Sequence, residues 1–483
     1  MKLRKLFANH NNIPDLEIKG INTDSNLISQ GELFVAIKGA EQDGHKFIKD
    51  AVKNGAVCIV RQKDSSVPKD LDFKKTVIIN AADTRRIISE LAARFYNYPS
   101  KKLKVIGVTG TNGKTTITYL IDSILEESGY PTGLIGTINY KFRKHIFPSI
   151  NTTPGALEMQ AFLAKMVKEK LSYCVMEVSS HSLDQERVRD VNFHIAIFTN
   201  LTQDHLDYHH SFEEYFTAKA KLFTNLDSKS YAVVNIDDPF SARLLKLTKA
   251  HKITFGFSKE AEIKATNLKL SIKGSEFEIL TPRGCCRVKT KLIGRHNVYN
   301  ILAAFSVGFI DGIKFGTIKK GIEKIDCVAG RLEAIEEGQE FGVFVDYAHT
   351  EDALKNVISS LKEFHKGKII VVFGCGGQRD TTKRPKMGKL VSRLADYFII
   401  TNDNPRQEDP KKIIKDILKG IKTKNYDIIL DRGKAIEKAI KMAGDKDTVL
   451  IAGKGHETSQ ILKDKSLAFD DREVTRRILN CLR

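Results

Sequence analysis

The chain has no apolar run approaching the roughly 18 residues that a membrane-crossing helix requires, so no membrane insertion is expected. Its opening residues, Met1-Lys2-Leu3-Arg4-Lys5-Leu6-Phe7, run into Asn9-His10-Asn11-Asn12 without a continuous apolar core, and a secretory signal is not expected. None of the seven cysteines (58, 174, 285, 286, 327, 375, 481) forms a C-x-x-C pair. An odd count scattered along the chain points to reduced thiols and a cytoplasmic protein. The dinucleotide fingerprint G-x-G-x-x-G is also missing, because Gly374-Cys375-Gly376 continues as Gly377-Gln378-Arg379. Acid is short of base, 59 residues against 78, for a formal charge of +19. The surplus could draw nucleic acid, phosphate-rich metabolites or an anionic surface. Its lysines, however, are mixed with apolar residues in segments such as Lys411-Lys412-Ile413-Ile414-Lys415, which reads as a solvated surface. The aromatic-basic clusters of a nucleic-acid-stimulated ATPase are lacking, so no nucleic-acid partner is expected.

What is present is organised around Val105-Ile106-Gly107-Val108-Thr109-Gly110-Thr111-Asn112-Gly113-Lys114-Thr115-Thr116. A β-branched run breaking into a glycine turn and ending in Gly-Lys-Thr predicts a buried strand, a loop with inward amides and a helix start. Gly110 and Gly113 let the backbone approach phosphate oxygens, and the helix N-terminus adds partial positive charge. Lys114 can reach the outer phosphates and the Thr115 hydroxyl suits Mg²⁺, so ATP is the expected ligand. The stretch is not a strict Walker A, since Val108 stands where the first glycine belongs. Ile117, Leu120, Ile121, Ile124 and Leu125 carry a helix that Ser128-Gly129 stops.

A length of 483 residues predicts several domains. Residues 1–99 hold strands at 34–37, 57–60 and 77–79 and a helix over 87–96, with 98–102 as linker. A second domain, 100–329, continues with a strand ending at Glu177 and another ending at Thr199-Asn200. Ligands sit beyond the carboxyl ends of parallel strands, so Glu177 and the segment 200–207 are expected to face the phosphate loop, with Mg²⁺ joining Glu177 to Thr115. Asp204-His205-Leu206-Asp207-Tyr208-His209-His210 lacks the glutamate and cysteine partners of a zinc site, which leaves His205 as a magnesium ligand or neighbour. Lys219 and Lys221 cannot share a helix face, so at most one enters the site. The last third, 330–483, alternates strands and helices as a parallel Rossmann-like sheet. Arg379, Arg406 and Glu457 follow its strands and should cluster at one rim, which suits a zwitterion.

The succession Gly110–Thr116, Asn151-Thr152-Thr153-Pro154, Glu177-Val178-Ser179-Ser180-His181, Asp204–Asp207, Ala218-Lys219, His296-Asn297, Gly330-Arg331, Asp346–Thr350 and Asp403-Asn404-Pro405-Arg406 resembles the Mur ligases of peptidoglycan synthesis. Within them it is most similar to the type that adds the third stem-peptide residue. The resemblance covers essentially the whole chain. It implies a three-domain α/β fold with a central P-loop domain and a C-terminal Rossmann-like domain. It also implies a monomer catalysing ATP- and Mg²⁺-dependent amide ligation through an acyl phosphate, in cytoplasmic peptidoglycan precursor synthesis. The acceptor would be UDP-N-acetylmuramoyl-L-alanyl-D-glutamate, held by Thr23, Ser25, Asn151, Thr152, Thr153, Ser179, Gln185 and Arg187. ATP would meet Gly110, Thr111, Asn112, Gly113, Lys114, Thr115 and Thr116, with Asn297, Arg331 and Asp346 at the adenosine part. Lys219 matches a carbamylated lysine that, with Thr115, Glu177 and His205, would hold metal; Lys114, Lys219 and His205 would serve catalysis. Asp403, Asn404, Pro405 and Arg406 mark users of meso-diaminopimelate, with Arg379, Gly453 and Glu457 as further contacts. The Asn-Thr-Thr-Pro and Asp-Asn-Pro-Arg segments speak against a folylpolyglutamate-synthase-like ligase. Two positions depart from the family pattern: Asn26 stands where arginine is usual, and Glu351 where proline is.

Overall fold

The computed structural model describes residues 1–7, 13–39, 42–65, 76–364 and 366–482, so Asn9–Asn12 of the opening segment lie outside it. The chain forms two compact units, one of residues 1–107, 131–196 and 221–230, the other of 108–130, 197–220 and 231–483.

The first unit begins with four parallel strands in sequence order, Ile21–Asn22, Leu33–Val35, Cys58–Gln62 and Val77–Ala81. Helix Thr84–Phe95 starts where the Asp83 carboxylate accepts from the amides of Arg85 and Arg86, and it buries Ile88 and Leu91 against the strands. The expected linker is a packed turn, Pro99–Lys101, whose Ser100 hydroxyl accepts from the Asn192 amide at 3.0 Å. A second set of strands pairs Tyr173–Glu177 in parallel with Thr132–Ile135, which continues antiparallel into Asn139–Phe142 and His145–Pro148.

In the second unit, helix Lys114–Glu127 packs on helices Arg295–Ile310 and Phe315–Glu323, and the Ser123 hydroxyl donates to the Gly321 carbonyl. Strands Tyr231–Asn235, His251–Gly256 and Ile263–Ser271 run parallel. An antiparallel meander, Ile263–Ser271, Gly274–Thr281 and Gly284–Thr290, follows. Its strands alternate more and less buried residues, with a register shift between Thr266 and Lys269.

The same unit contains a six-stranded sheet in the order Glu333–Ala334, Gly342–Asp346, Thr448–Ala452, Ile369–Phe373, Tyr397–Ile400, Tyr426–Ile428, parallel apart from its first strand. Its central strands are apolar throughout because helices cover both faces. Helices Glu351–Phe364, Lys383–Leu394 and Pro410–Leu418 bury Leu354, Met387 and Ile413 on one side. Helices Arg432–Met442 and Asp471–Cys481 bury Ile436 and Leu479 on the other. All seven cysteines are free, and no helix among the described residues is long and apolar enough to cross a membrane.

Candidate active site

The glycine loop adopts the conformation its glycines permit. Gly110 has φ +150° and Gly113 φ +90°. A Cβ on Gly110 would lie 1.8 Å from the Thr199 hydroxyl, and one on Gly113 would lie 2.4 Å from Asn300 Oδ1. Thr199 and Asn200 at the end of strand Phe193–Phe198 pin the loop: the Asn112 amide donates to Asn200 Oδ1 at 2.9 Å, and the Thr199 hydroxyl to the Asn112 carbonyl at 2.7 Å. Lys114 folds back, its Nζ donating to the carbonyls of Gly110 at 3.0 Å and Thr111 at 2.8 Å.

Lys219, on helix Phe212–Thr224, is fully buried and donates to the same Gly110 carbonyl at 2.9 Å. Burial and the nearby Lys114 charge push its pKa well below the ordinary lysine value, against the pull of Asp204. Its Nζ sits 4.4 Å above the ring of Tyr215, whose hydroxyl is 3.2 Å from Thr111 Oγ1. Lys221 points elsewhere, pairing with Glu186 at 3.2 Å, so one of the two lysines enters the site.

Residues of the last third reach this loop. Arg331 Nη2 donates to Thr115 Oγ1 at 2.9 Å while its guanidinium stacks on Tyr347 at 4.6 Å. The Asn112 side chain donates to Asp352 Oδ2 at 2.8 Å, and the Thr202 hydroxyl to the same oxygen at 3.3 Å. The buried Asp204 carboxylate lies 3.3 Å from His205 Nε2 and 3.9 Å from both His349 Nε2 and Lys383 Nζ. Burial alone would raise its pKa, but these three groups together hold it well below the usual carboxylate range. Asn297 and Asp346 are engaged locally: Asn297 Nδ2 donates to the Ile293 carbonyl, and the Asp346 carboxylate accepts from the amides of Leu332 and Ala348 at 2.6 Å each.

The rim of the six-stranded sheet gathers the other predicted residues. Asn404 donates to Glu457 Oε2 at 2.8 Å, and the buried Lys454 reaches Asn404 Oδ1 at 3.1 Å and Glu457 Oε2 at 2.8 Å. Arg406, with φ +54°, donates to the Gly377 carbonyl at 2.9 Å, and burial and the neighbouring Arg379 lower its pKa. A Cβ on Gly453 would lie 2.6 Å from Asp403 Oδ2, and one on Gly377 would lie 2.0 Å from the Pro405 carbonyl oxygen, so both glycines are sterically required.

In the first unit, Glu177 accepts from the Thr137 amide at 2.8 Å and hydroxyl at 2.9 Å, and Thr137 Oγ1 is 3.1 Å from Thr152 Oγ1. Thr153 Oγ1 donates to the Glu177 carbonyl at 2.9 Å and accepts from the Ser179 amide at 3.0 Å. Arg187 donates to the Thr153 carbonyl at 3.0 Å and to Gln185 Oε1 at 2.6 Å, and Tyr140 holds the Asn151 carbonyl. Asn151, Thr152, Thr153, Glu177, Ser179, Gln185 and Arg187 thus form one polar cluster. Thr23 and Ser25 sit on a separate turn where Asp24 caps Asn26 and the Ser25 carbonyl accepts from Asn54 Nδ2 at 2.9 Å.

Sequence reasoning did not single out Thr137, Tyr215, Asp352, Lys383 or Lys454. His349 lay inside the Asp346–Thr350 motif and could have been drawn from it. Lys383 lies in a lysine-rich run that gave no signal.

Three family descriptions match in succession: "Mur ligase family, catalytic domain" over residues 17–96, "Mur ligase middle domain" over 108–308 and "Mur ligase, glutamate ligase domain" over 330–455. The chain belongs to the Mur ligase family. It is 47% identical over 467 residues, 96% of this chain and 95% of the relative, to UDP-N-acetylmuramoyl-L-alanyl-D-glutamate--2,6-diaminopimelate ligase of Clostridium botulinum. It is equally 47% identical over 463 residues, 95% of this chain and 94% of the relative, to the Clostridium acetobutylicum protein named UDP-N-acetylmuramoyl-L-alanyl-D-glutamate--2,6-diaminopimelate ligase 1. A solved structure of a protein with the former name superposes with a TM-score of 0.71 at 29% identity, covering 100% of this chain and 99% of that one.

Proposed function

We propose that this protein is an ATP-dependent ligase that adds meso-diaminopimelate to UDP-N-acetylmuramoyl-L-alanyl-D-glutamate in cytoplasmic peptidoglycan precursor synthesis, acting as a monomer. The observation that carries this reading is the meeting of two chemistries in one compact unit. Arg331 on Thr115 and Lys383 beside Asp204 bring the amino-acid half of the chain onto the phosphate loop. The division into 1–99, 100–329 and 330–483 is supported by the three matched intervals.

ATP lies along Gly110–Thr116, and Lys114 leaves its carbonyls for the outer phosphates, neutralising charge as the γ-phosphoryl passes to the D-glutamate side-chain carboxylate. The muramoyl dipeptide meets the Asn151–Thr153, Ser179, Gln185 and Arg187 cluster, with Thr23 and Ser25 at the uridine end. Asn297, Arg331 and Asp346 border the adenosine part, Asp346 by ordering the backbone around Arg331.

Mg²⁺ takes most of its ligands from phosphate oxygens and water, so it needs few groups from the protein. Thr115, His205 and a carbamylated Lys219 would hold it, and it would supply charge neutralisation at the phosphates. Carbamylation suits Lys219 because burial favours the uncharged amine that reacts with carbon dioxide.

The amino acid is held by Arg379, Asp403, Asn404, Arg406 and Glu457, with Pro405 and Gly453 shaping the backbone. Its amine attacks the acyl phosphate, and the tetrahedral intermediate collapses with loss of phosphate. Arg406 presents paired donors to the second carboxylate that diaminopimelate has and lysine lacks. Phosphate release measured with the UDP-muramoyl dipeptide and each candidate amine tests the reading. Turnover with diaminopimelate and little with lysine is expected; equal use of both would overturn the amine assignment.

A further inference from the structure

We propose that Asp380 receives the reacting ammonium group of the incoming amino acid, a role that rests on the ligase reading above. Asp380 lies in the loop after strand Ile369–Phe373, next to Arg379, and is 6% exposed. Its Oδ1 accepts from the amide of Thr382 at 2.8 Å and from the Thr382 hydroxyl at 2.5 Å. Its Oδ2 is buried and has no hydrogen-bond partner. A carboxylate oxygen stripped of water and left unpaired is strongly unfavourable, and such groups persist where a ligand completes them.

The surroundings say which ligand. On one side Arg379 belongs to the rim with Arg406, which draws carboxylates. On the other side Thr382 Oγ1 is 3.4 Å from Gln203 Nε2, and Lys383 reaches Asp204, so the loop abuts the Asp204-His205 motif where the acyl phosphate is made. Asp380 therefore lies in the loop that links Arg379 to Thr382 and Lys383, the residues that reach Gln203 and Asp204. A zwitterion held by its carboxylates on Arg379 and Arg406 presents its ammonium there, and an ammonium supplies the N–H donor that Oδ2 lacks. The second ammonium of a diamino acid falls to Glu457 at the far end of the rim.

The test is the Asp380→Asn enzyme, which keeps an oxygen for Thr382 but turns an N–H toward the substrate's N–H. Its KM for diaminopimelate should rise at least tenfold, while the KM values for ATP and the UDP-muramoyl dipeptide stay within twofold of wild type. Acyl phosphate trapped with hydroxylamine in the absence of amine should form as in wild type. An unchanged KM for diaminopimelate, or a parallel rise in all three constants, overturns the proposal. Where the Asn variant loses its thermal transition, Asp380→Glu is read by the same three constants and the same outcomes. A wild-type protein without diaminopimelate-dependent phosphate release sinks the ligase reading itself. A wild type that turns over beside a variant of unmoved KM sinks Asp380 alone.

Discussion

His296 makes stability depend on pH between about 6.5 and 4. It opens helix Arg295–Ile310 with Nδ1 3.3 Å from the Ser360 hydroxyl, and burial lowers its pKa from 6.5 to about 4. Above pH 6.5 the ring is neutral folded and unfolded, so it contributes nothing to pH dependence. Below 6.5 the unfolded chain binds a proton that the folded chain refuses, and stability falls until pH nears 4. Between pH 7 and pH 5 the two proton-binding curves differ by about 2 kcal/mol, on linkage arithmetic for one site. His456, lowered to about 3 chiefly by burial and then by Arg331, adds a loss of the same sign. The chain has no tryptophan, so urea unfolding is followed by far-ultraviolet circular dichroism at the two pH values. A His296→Gln variant should lose about 2 kcal/mol less than wild type on going from pH 7 to pH 5. Equal losses in the two proteins would refute the argument that this ring stays neutral in the fold.

Replacing Arg406 with alanine should cost about 2 kcal/mol of diaminopimelate binding, as for unpairing a charged hydrogen bond, read as a KM raised about thirtyfold. Arg406→Lys should recover only part of that loss, because lysine lacks the planar fork. Lys219→Ala should be nearly inactive and partly restored by added short carboxylates that occupy the vacated space. Full activity in the unsupplemented variant would refute the carbamate role.

The glycine loop and the strand ends were legible because their signals are local. A β-branched run that stops at glycine fixes where the backbone turns, and the parallel-sheet rule then fixes which ends face a ligand. The Rossmann-like sheet was readable for the same reason, its strands being short uninterrupted apolar runs such as Tyr397–Ile400. The antiparallel meander from Ile263 to Thr290 was not, since a register shift between Thr266 and Lys269 moves its apolar residues from Ile263 and Ala265 to Leu268 and Leu270. Asp352 and Lys383 escaped because their parts are set by partners far along the chain, Asn112 for the one and Asp204 for the other. Nor does a motif reveal how a side chain is spent: both Asp346 oxygens are taken by backbone amides.

Lys114 and Lys219 converge on the one oxygen of Gly110, and this crowding sets an order of assembly. Before nucleotide binds, burial and then the first amine's charge favour the deprotonated form of its neighbour, the form able to capture carbon dioxide. Once a triphosphate draws that charge away, the restraint weakens. On the carbamate reading, the resting protein is the state primed for its own modification, so preincubation with bicarbonate before nucleotide should abolish a lag that the reverse order of addition leaves in place.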